Sequence, residues 1–261
     1  MNLEQARFNM VEQQLRPWDV LDQNVLDLLY VVKREEFEDD NLGAIKSRIA
    51  KLGTRMNRHR NKLMIDTLVG GVSTPDFTGA NFLADSHPPR TGVGGGGSAQ
   101  DNLLAGTGTG AAAISTDFGS ATAALASFLD ESGEPLNEEV GRFTIVAPHA
   151  LEQNIMDALV GKVRPVVVGD AGTSIENVSI GGRQYDFIFS ARLADQNDWY
   201  VGVGDPGFRP LIFQNRIKPK SENLEEGSSV SIEKGKYLYT VRGRYVPGYG
   251  MWQSLVKIVN G

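Results

Sequence analysis

Apolar residues recur at helical spacing over residues 35–71, and this pattern predicts the longest element of the chain. Intervals of three and four residues separate the apolar positions, and His59 stands where one of them would fall. Five acids between positions 35 and 40 precede a basic run, an order that complements a helix dipole. Gly70 and Gly71 mark the expected end. We therefore predict a helix over residues 39–69, with an inward stripe formed by Leu42, Ile45, Ile49, Leu52, Met56 and Leu63.

The same segment has a run of bases with no acid between residues 41 and 65. Such a run is typical of a surface that faces a polyanion. It is equally typical of charges that are solvated or paired with acids of a neighbouring subunit. Both interpretations stay open on the sequence. The members of the run are Lys46, Arg48, Lys51, Arg55, Arg58, Arg60 and Lys62.

The first 36 residues predict two short amphipathic helices. The first carries apolar residues from Leu3 to Leu15 and stops before Pro17. The second follows Asp22, and its apolar positions are Val25, Leu28, Leu29 and Val32.

The rest of the chain predicts a mixture of helices and strands, and thus an α+β fold. Residues 72–116 are rich in Gly, Ser, Thr, Asn and Pro, which predicts a long connection with little regular structure. Helices are expected over residues 117–131 and 149–160. The expected strands cover residues 141–148, 163–168, 178–180, 185–189, 199–203, 208–216, 236–245 and 250–258.

Two details of these strands bear on packing. Gly181 and Gly182 predict a hairpin turn, and residues 221–229 form a polar, acidic loop. In strand 236–245, alternation places Tyr237, Tyr239 and Val241 on one side, where we expect core or interface contacts.

Composition excludes several classes of site. The chain has 261 residues, a net charge of −6 and no cysteine, so it has neither disulfides nor a thiolate nucleophile or metal ligand. No apolar run approaches the roughly 20 residues that a membrane helix needs, and the polar start MNLEQ has no apolar signal region. We expect a protein made in the cytoplasm. The subunit of a particle assembled there would show the same features.

Three places invite a chemical interpretation. Asp85 and His87 could bind a metal, but no further histidine or acidic cluster with ligand spacing accompanies them, so a turn ahead of Pro88 is favoured. His149 directly follows Pro148 at the start of a predicted helix, which favours a capping or packing role over that of a catalytic base. The glycine-rich turn of residues 106–110 is interpreted as a loop.

Three separated motifs carry a resemblance to a known family. They are the acidic lead-in REEFEDDNLG, the long basic helix and the segment TPDFTGANFLADSHPP. Over about residues 34–261 they resemble the major head (capsid) subunit of Mu-like bacteriophages. The resemblance implies the tailed-phage major capsid protein fold (Hong Kong 97-like), with a long spine helix, a peripheral domain and an axial domain.

On this resemblance, residues 37–140 would be the peripheral domain, with the spine helix at 39–69 and a Gly-rich loop. Residues 141–205 would be the axial domain, and residues 206–261 would return to the peripheral domain as strands. The family's subunits have a longer region ahead of the spine helix than the 36 residues found here.

The resemblance also implies a structural role. Copies of the chain would form pentamers and hexamers of an icosahedral phage or prophage shell around DNA. No catalytic residue, cofactor, metal or membrane would be involved. Portal, scaffold or decoration proteins would be partners, and the basic helix would face packaged DNA or scaffold. The location would be the virion, after assembly in the bacterial cytoplasm.

Residues 1–36 carry a second resemblance, through the phrases NLEQARFNM and RPWDVLDQ. They resemble the N-terminus of bacterial protein-L-isoaspartate O-methyltransferases, which implies an enzyme using S-adenosylmethionine as the alternative function. That function requires an apolar strand that ends in a glycine-rich turn. Only a few apolar residues precede the turn at Gly106, so we interpret the first 36 residues as a borrowed opening without the catalytic body.

Overall fold

A computed structural model describes residues 25–39, 43–76, 79–87, 99–129, 134–138, 140–160, 164–167, 173–176, 184–204 and 209–261. The chain divides into two compact units. Unit 1 comprises the residues up to Leu68 together with Leu211–Gly248, and unit 2 comprises Val69–Pro210 and Tyr249–Gly261. Both units combine helices with a sheet, which confirms the predicted α+β class.

Unit 1 is built from a three-stranded sheet and one long helix. The strand order is β1–β9–β8, and β1 pairs antiparallel with β9. Its elements are β1 (Val25–Lys33), α1 (Arg34–Glu38), α2 (Ala44–Gly70), β8 (Leu211–Leu224), α5 (Ser229–Lys234) and β9 (Lys236–Tyr249).

The core of unit 1 lies between α2 and one face of this sheet. Leu52 and Met56 of the helix are buried in one cluster with alternate residues of β9. The cluster confirms that Tyr237, Tyr239 and Val241 share a side, and it extends through Tyr245 to His59, whose Nδ1 lies 2.8 Å from the Tyr245 hydroxyl.

The long helix begins later than predicted. The acids between 35 and 39 lie on the separate helix α1 and its cap Asp39, whereas α2 has no acid in its first turn. Gly43 adopts a positive φ of 65°, a conformation that favours glycine, directly before α2. The sequence suggested that these acids complement the dipole of α2. They do not, because they lie on α1 and its cap. Its end at Gly70 agrees with the prediction.

The second predicted N-terminal helix is wrong, because Val25–Lys33 is strand β1. Its register pairs Tyr30 with Tyr239 and Val32 with Tyr237. β-branched and aromatic side chains suit such pairing, and the hydrogen bonds that β9 offers outweigh the helical spacing of the apolar residues.

Unit 2 contains a five-stranded mixed sheet with two helices. The strand order is β2–β10–β7–β3–β6, with β2 parallel to β10, β6 parallel to β3, and β7 antiparallel to both neighbours. Its elements are β2 (Leu103–Ala105), α3 (Ala111–Ser127), β3 (Arg142–Ala147), α4 (Glu152–Leu159), the strand pair β4 (Arg164–Val167) and β5 (Thr173–Glu176), β6 (Gln184–Phe189), β7 (Trp199–Val203) and β10 (Leu255–Val259).

Strand β7 forms the buried centre of this sheet. All five residues of β7 are buried between β3 and β10, and α3 packs against β10 and α4. β2 pairs with the C-terminal β10, so residues 69–140 share unit 2 with the end of the chain. The compact units therefore divide the chain at 68/69 and 210/211, positions different from the domain limits that the resemblance implied.

Three further predicted elements differ from the structure. The strand expected over 250–258 is regular only as β10, which follows a short 3₁₀ helix at Trp252–Ser254. The helix expected over 117–131 is α3, which starts six residues earlier after Gly110, where Ile114 extends its buried side, and ends at Ser127. The acidic loop expected over 221–229 is partly regular: β8 continues to Leu224, and Ser228 caps α5 by accepting a hydrogen bond from the Ser231 amide. Strand hydrogen bonds to β9 stabilise this polar end of β8.

Several predictions lie outside the described residues. They include the first N-terminal helix, Leu42 of the apolar stripe, Pro88, the strand 178–180 and the turn at 181–182. In the part of the chain that is described, no helix has the length and apolar character needed to cross a membrane.

The core of unit 1 generates a stability prediction. Met56 is 1% exposed, so Met56→Ala leaves a cavity and should lower the free energy of unfolding by about 2–4 kcal/mol. Chemical denaturation of the full chain measures this change. Thr54→Ala, on the exposed side of the same helix, should change stability by less than about 0.5 kcal/mol. Equal effects of the two substitutions would show that α2 does not pack on the sheet as described.

Candidate interaction surfaces

The seven predicted bases all lie on α2, but they do not share one face. Arg60 is half-buried: its guanidinium carbon lies 4.8 Å from the ring centre of Phe213 and 5.7 Å from that of Tyr245. One of its terminal nitrogens also donates to the Asn215 side chain over 3.4 Å. Arg60 thus belongs to the packing between α2 and the sheet. Lys46 is exposed on another side of the helix.

The remaining five bases form a stripe along one flank of α2. Arg48, Lys51, Arg55, Arg58 and Lys62 follow at intervals of three or four residues, which places them within about a quarter of the helix circumference. We call this set the basic stripe. All five side chains are exposed.

The middle of the basic stripe has no counter-charge among the described residues. At one end Arg48 donates to the Tyr30 hydroxyl over 3.3 Å, and at the other Lys62 forms an ion pair with Asp66 at 2.5 Å. Within the described chain, Lys51, Arg55 and Arg58 have no such pair. Like charges three and four residues apart cost a helix a few tenths of a kcal/mol each. A polyanion on this flank would remove that cost.

The glycine-rich turn of residues 106–110 is internally bonded. The Gly106 amide donates to the Val259 carbonyl, the Thr107 amide to Asp117, and the Gly108 amide to the Asn260 side chain. A Cβ on Gly106 would stand 2.0 Å from the Asn260 side-chain oxygen. The amides that a cofactor would use are therefore already bonded, which agrees with the interpretation of this turn as a structural loop.

Asp85 and His87 do not form a joint site. Asp85 is exposed, whereas His87 is 1% exposed and stacks on Trp252 with ring centres 3.7 Å apart. His149 is exposed, and its Nδ1 lies 2.9 Å from Glu152, the first residue of α4. No group of three potential metal ligands occurs among the residues that the structure describes.

Asn102 is the polar centre around His87, and its side-chain orientation is fixed by its partners. Its Nδ2 donates to the carbonyls of Phe82, Trp252 and Leu255, and its Oδ1 accepts from the Ala84 amide over 2.9 Å. The same oxygen lies 3.0 Å from Nε2 of His87, so this nitrogen must carry the hydrogen.

The second ring nitrogen of His87 faces an acid. Nδ1 lies 4.0 Å from Oδ2 of Asp76, whose side chain is fully buried. Burial lowers the pKa of His87 below its ordinary value, while the hydrogen bond to Asn102 and the charges of Asp76 and Asp101 oppose this shift. The ring is therefore held neutral inside unit 2.

The comparison with known families decides what kind of protein carries these surfaces. The family model described as phage capsid protein matches residues 29–258, which is most of the chain. The chain belongs to the phage capsid protein family. It is thus a structural subunit of a phage head, and family membership speaks against an enzyme.

Several solved capsid and encapsulin structures are similar to the capsid subunit. A subunit of the bacteriophage PhiM1 mature capsid matches with a TM-score of 0.57 at 10% identity, over 91% of this chain and 71% of that one. The procapsid of bacteriophage JBD30 matches with a TM-score of 0.43 at 18% identity, over 90% of this chain. The holo-SrpI encapsulin complex of Synechococcus elongatus matches with a TM-score of 0.49 at 8% identity, over 90% and 72% of the two chains.

The match to the JBD30 subunit covers 51% of that chain, so this capsid subunit spans about half of its length. No curated protein has significant similarity to the capsid subunit. The PhiM1 likeness shows the tailed-phage capsid fold, which confirms the fold expected from the sequence at this level.

Sequence reasoning missed the polar cluster around Asn102. Its partners lie 15 to 153 residues away along the chain, so no local spacing reveals them. The signal that the sequence offered was the closeness of Asp85 to His87 along the chain, but Asp85 is not the acid that lies beside the His87 ring. The buried neighbour of His87 is Asp76.

Removing the Asn102 side chain should destabilise unit 2. Asn102→Ala leaves the part-buried Ala84 amide and the buried His87 Nε2 without an acceptor and three carbonyls without a donor, so we expect a loss of about 3 kcal/mol or more. Chemical denaturation of the full chain measures it. Gln153→Ala on the exposed side of α4 serves as the control and should change stability by less than about 0.5 kcal/mol.

Burial of neutral His87 predicts a pH dependence. Because burial lowers the pKa of His87 in the folded chain, the unfolded chain binds a proton there more readily around and below pH 6.5, so stability should fall as the pH drops from 7 through this range. One proton accounts for at most about 1.4 kcal/mol per pH unit. His87→Gln should remove this part of the slope in denaturation experiments, whereas His149→Gln should retain it. An unchanged slope in His87→Gln would disprove the assignment.

Proposed function

We propose that copies of this chain assemble into pentamers and hexamers of an icosahedral head, and that this shell encloses DNA in a Mu-like phage or prophage. The family match over residues 29–258 carries the proposal. The acidic lead-in and the segment TPDFTGANFLADSHPP support the Mu-like assignment. The subunit is assembled in the cytoplasm of the bacterial host and ends in the virion.

Domain roles follow the resemblance to this fold. Residues 37–140 and 206–261 act as the peripheral domain, with α2 as its spine helix, and residues 141–205 act as the axial domain. The 27-residue length of α2 supports its role as the spine helix. The 1–24 part of the methyltransferase-like opening lies outside the described residues, and the bonded glycine turn offers no support for an enzymatic alternative.

The basic stripe faces packaged DNA or an internal scaffold. Three exposed bases without ion pairs, Lys51, Arg55 and Arg58, support this orientation. Binding there is independent of sequence, because point charges at helical spacing contact phosphates and read no base edges. Portal and decoration proteins complete the list of partners.

Imaging of the purified full chain tests the assembly. We expect rings or closed shells in negative stain and an early peak in size-exclusion chromatography with light scattering. Wild-type protein that stays a clean monomer at high concentration would overturn the proposed function.

The same particles test the role of the basic stripe. The triple variant Lys51→Gln, Arg55→Gln and Arg58→Gln should still assemble, but should lose nucleic acid or scaffold content. If each base contacts one phosphate, the slope of log affinity against log salt for duplex DNA should fall by about 3. Ser47→Gln, Thr54→Gln and Asn57→Gln on the uncharged exposed side of α2 form the matched control, which should bind as wild type.

A further inference from the structure

Strand β1 forms one edge of the unit 1 sheet, because it stands at the end of the strand order β1–β9–β8. One side of its backbone pairs with β9 along all nine residues, and the other side has no partner strand among the described residues. An edge of this kind presents its N–H and C=O groups to any further strand. The edge of β1 is therefore a place where another segment of polypeptide can bind.

The register with β9 identifies the backbone groups that point outwards. Arg34 directly follows β1, and its amide donates to the Gly235 carbonyl over 2.9 Å in continuation of the β1–β9 register. Hydrogen-bonded positions alternate along an antiparallel pair, so the even-numbered residues of β1 bond to β9. The odd-numbered residues, Leu29 and Val31 among them, direct their amides and carbonyls to the open edge.

The two edge strands of this sheet differ in composition. The other edge strand, β8, contains Lys218, Pro219 and Lys220, and both lysines are exposed. Lysine and proline on an edge hinder pairing with a further strand. β1 has no proline, six of its nine residues are aliphatic, and its one lysine is its last residue, Lys33. Of these two edges, the sequence thus leaves that of β1 open to pairing.

The two charged residues of β1 are placed symmetrically about its centre. Asp27 lies three residues before Tyr30, and Lys33 lies three residues after it. If two copies of β1 pair antiparallel about Tyr30, Asp27 of each copy stands opposite Lys33 of the other. Opposite charges at facing positions stabilise an antiparallel pair. This is the register of β1 with itself that brings its two charges together.

Both charged residues also have neighbours within unit 1. Lys33 lies 3.9 Å from Glu36, and both side chains are more than half exposed, so this ion pair contributes little. In the register with β9, Asp27 faces Arg242, whereas Lys33 faces Lys236, a like charge. Like charges at facing positions destabilise a sheet. An acid on the open side of Lys33 would offset this repulsion.

The same register also matches the open backbone groups. It sets Leu29 of one copy opposite Val31 of the other, and both residues direct their amide and carbonyl outwards. The two residues can therefore exchange hydrogen bonds, and two-fold symmetry repeats the exchange. Val31 is 45% exposed, so contact with Leu29 would bury apolar surface. Backbone, charge and apolar contacts thus favour one register.

We propose that β1 of one copy pairs antiparallel with β1 of a second copy about Tyr30, which joins two three-stranded sheets into one. The two-fold axis is perpendicular to the joined sheet, so both α2 helices lie on the same side, as a shell with one inner surface requires. Contacts around a ring are head-to-tail, so this two-fold contact connects neighbouring rings. The inference rests on the proposed self-assembly.

Disulfide cross-linking tests the register in the full chain, which has no cysteine of its own. Asp27→Cys and Lys33→Cys are prepared separately and mixed during assembly under mild oxidation. The proposed register sets these positions opposite each other, about 5.5 Å apart between Cα atoms, a distance that a disulfide spans. The mixed pair also keeps one contact between Asp27 and Lys33.

We expect at least about tenfold more cross-linked dimer in the mixture than in either variant alone, because two copies of one variant hold their thiols roughly 20 Å apart. Non-reducing electrophoresis measures the dimer. Thr54→Cys, which is exposed on α2, replaces Asp27→Cys in a control mixture that measures chance encounters between thiols.

A proline at position 31 tests whether assembly needs the edge. The Val31 amide points outwards, so Val31→Pro should leave the bonds to β9 in place and block the contact between copies. We expect the assembled fraction in size-exclusion chromatography with light scattering to fall by about tenfold or more. Val31→Thr keeps the amide and a β-branched side chain and should assemble as wild type. Circular dichroism confirms that both variants are folded.

The outcomes are distinct. A wild-type chain that forms neither rings nor shells overturns the proposed function and this inference with it. Wild type that assembles, while the mixture forms no more disulfide than the Thr54→Cys control, overturns the contact and leaves the proposed function intact. A disulfide in one variant alone, or normal assembly of Val31→Pro, has the same consequence.

A segment of the same chain is the alternative occupant of this edge. In that case the mixture would form no disulfide between copies, and Val31→Pro would lower the unfolding midpoint of the unassembled chain. This pair of results would overturn the proposal.

Discussion

The contact between α2 and one face of the β1–β9–β8 sheet determines the organisation of unit 1. Met56 and Leu52 meet Tyr237, Tyr239 and Tyr245 there, and this burial supplies the hydrophobic stabilisation that a three-stranded sheet needs. It also fixes which side of every strand remains open. The basic stripe follows from that constraint, because it consists of residues that the core cannot accommodate.

In unit 2, buried polar side chains hold long irregular segments together. Asn102 bonds Phe82, Ala84 and the C-terminal residues Trp252 and Leu255, so one buried amide joins three parts of the chain that are distant in sequence. The glycine turn after β2 is bonded in the same manner by Asp117 and Asn260. Polar groups that would suggest chemistry in an enzyme here stabilise loops.

Sequence reasoning succeeded where one periodicity decides an element, as in α2, β7 and the alternate tyrosines of β9. It failed where a partner strand decides: residues 25–33 have helical spacing, yet they pair with β9 as a strand. The extension of β8 through polar residues to Leu224 has the same cause. Of the seven bases named from the sequence, Arg60 could not be separated from the surface set, because only the structure places Phe213 and Asn215 beside it.

The uneven distribution of charge explains why the net charge of the whole chain gave little guidance about charged binding surfaces. A net charge of −6 conceals an uneven division: unit 1 has 18 bases and 15 acids, whereas unit 2 has 8 bases and 17 acids. Within unit 1 the excess of bases lies on α2, which carries seven bases and one acid. At α1 and the turn after β8 the two signs are mixed, since Lys33 and Arg34 pair with Glu36, Glu38 and Glu226. A helix flank of one sign favours a partner of opposite charge and disfavours one of like charge, so the charge that can select a partner lies along one helix of this capsid-family chain and is hidden in its total.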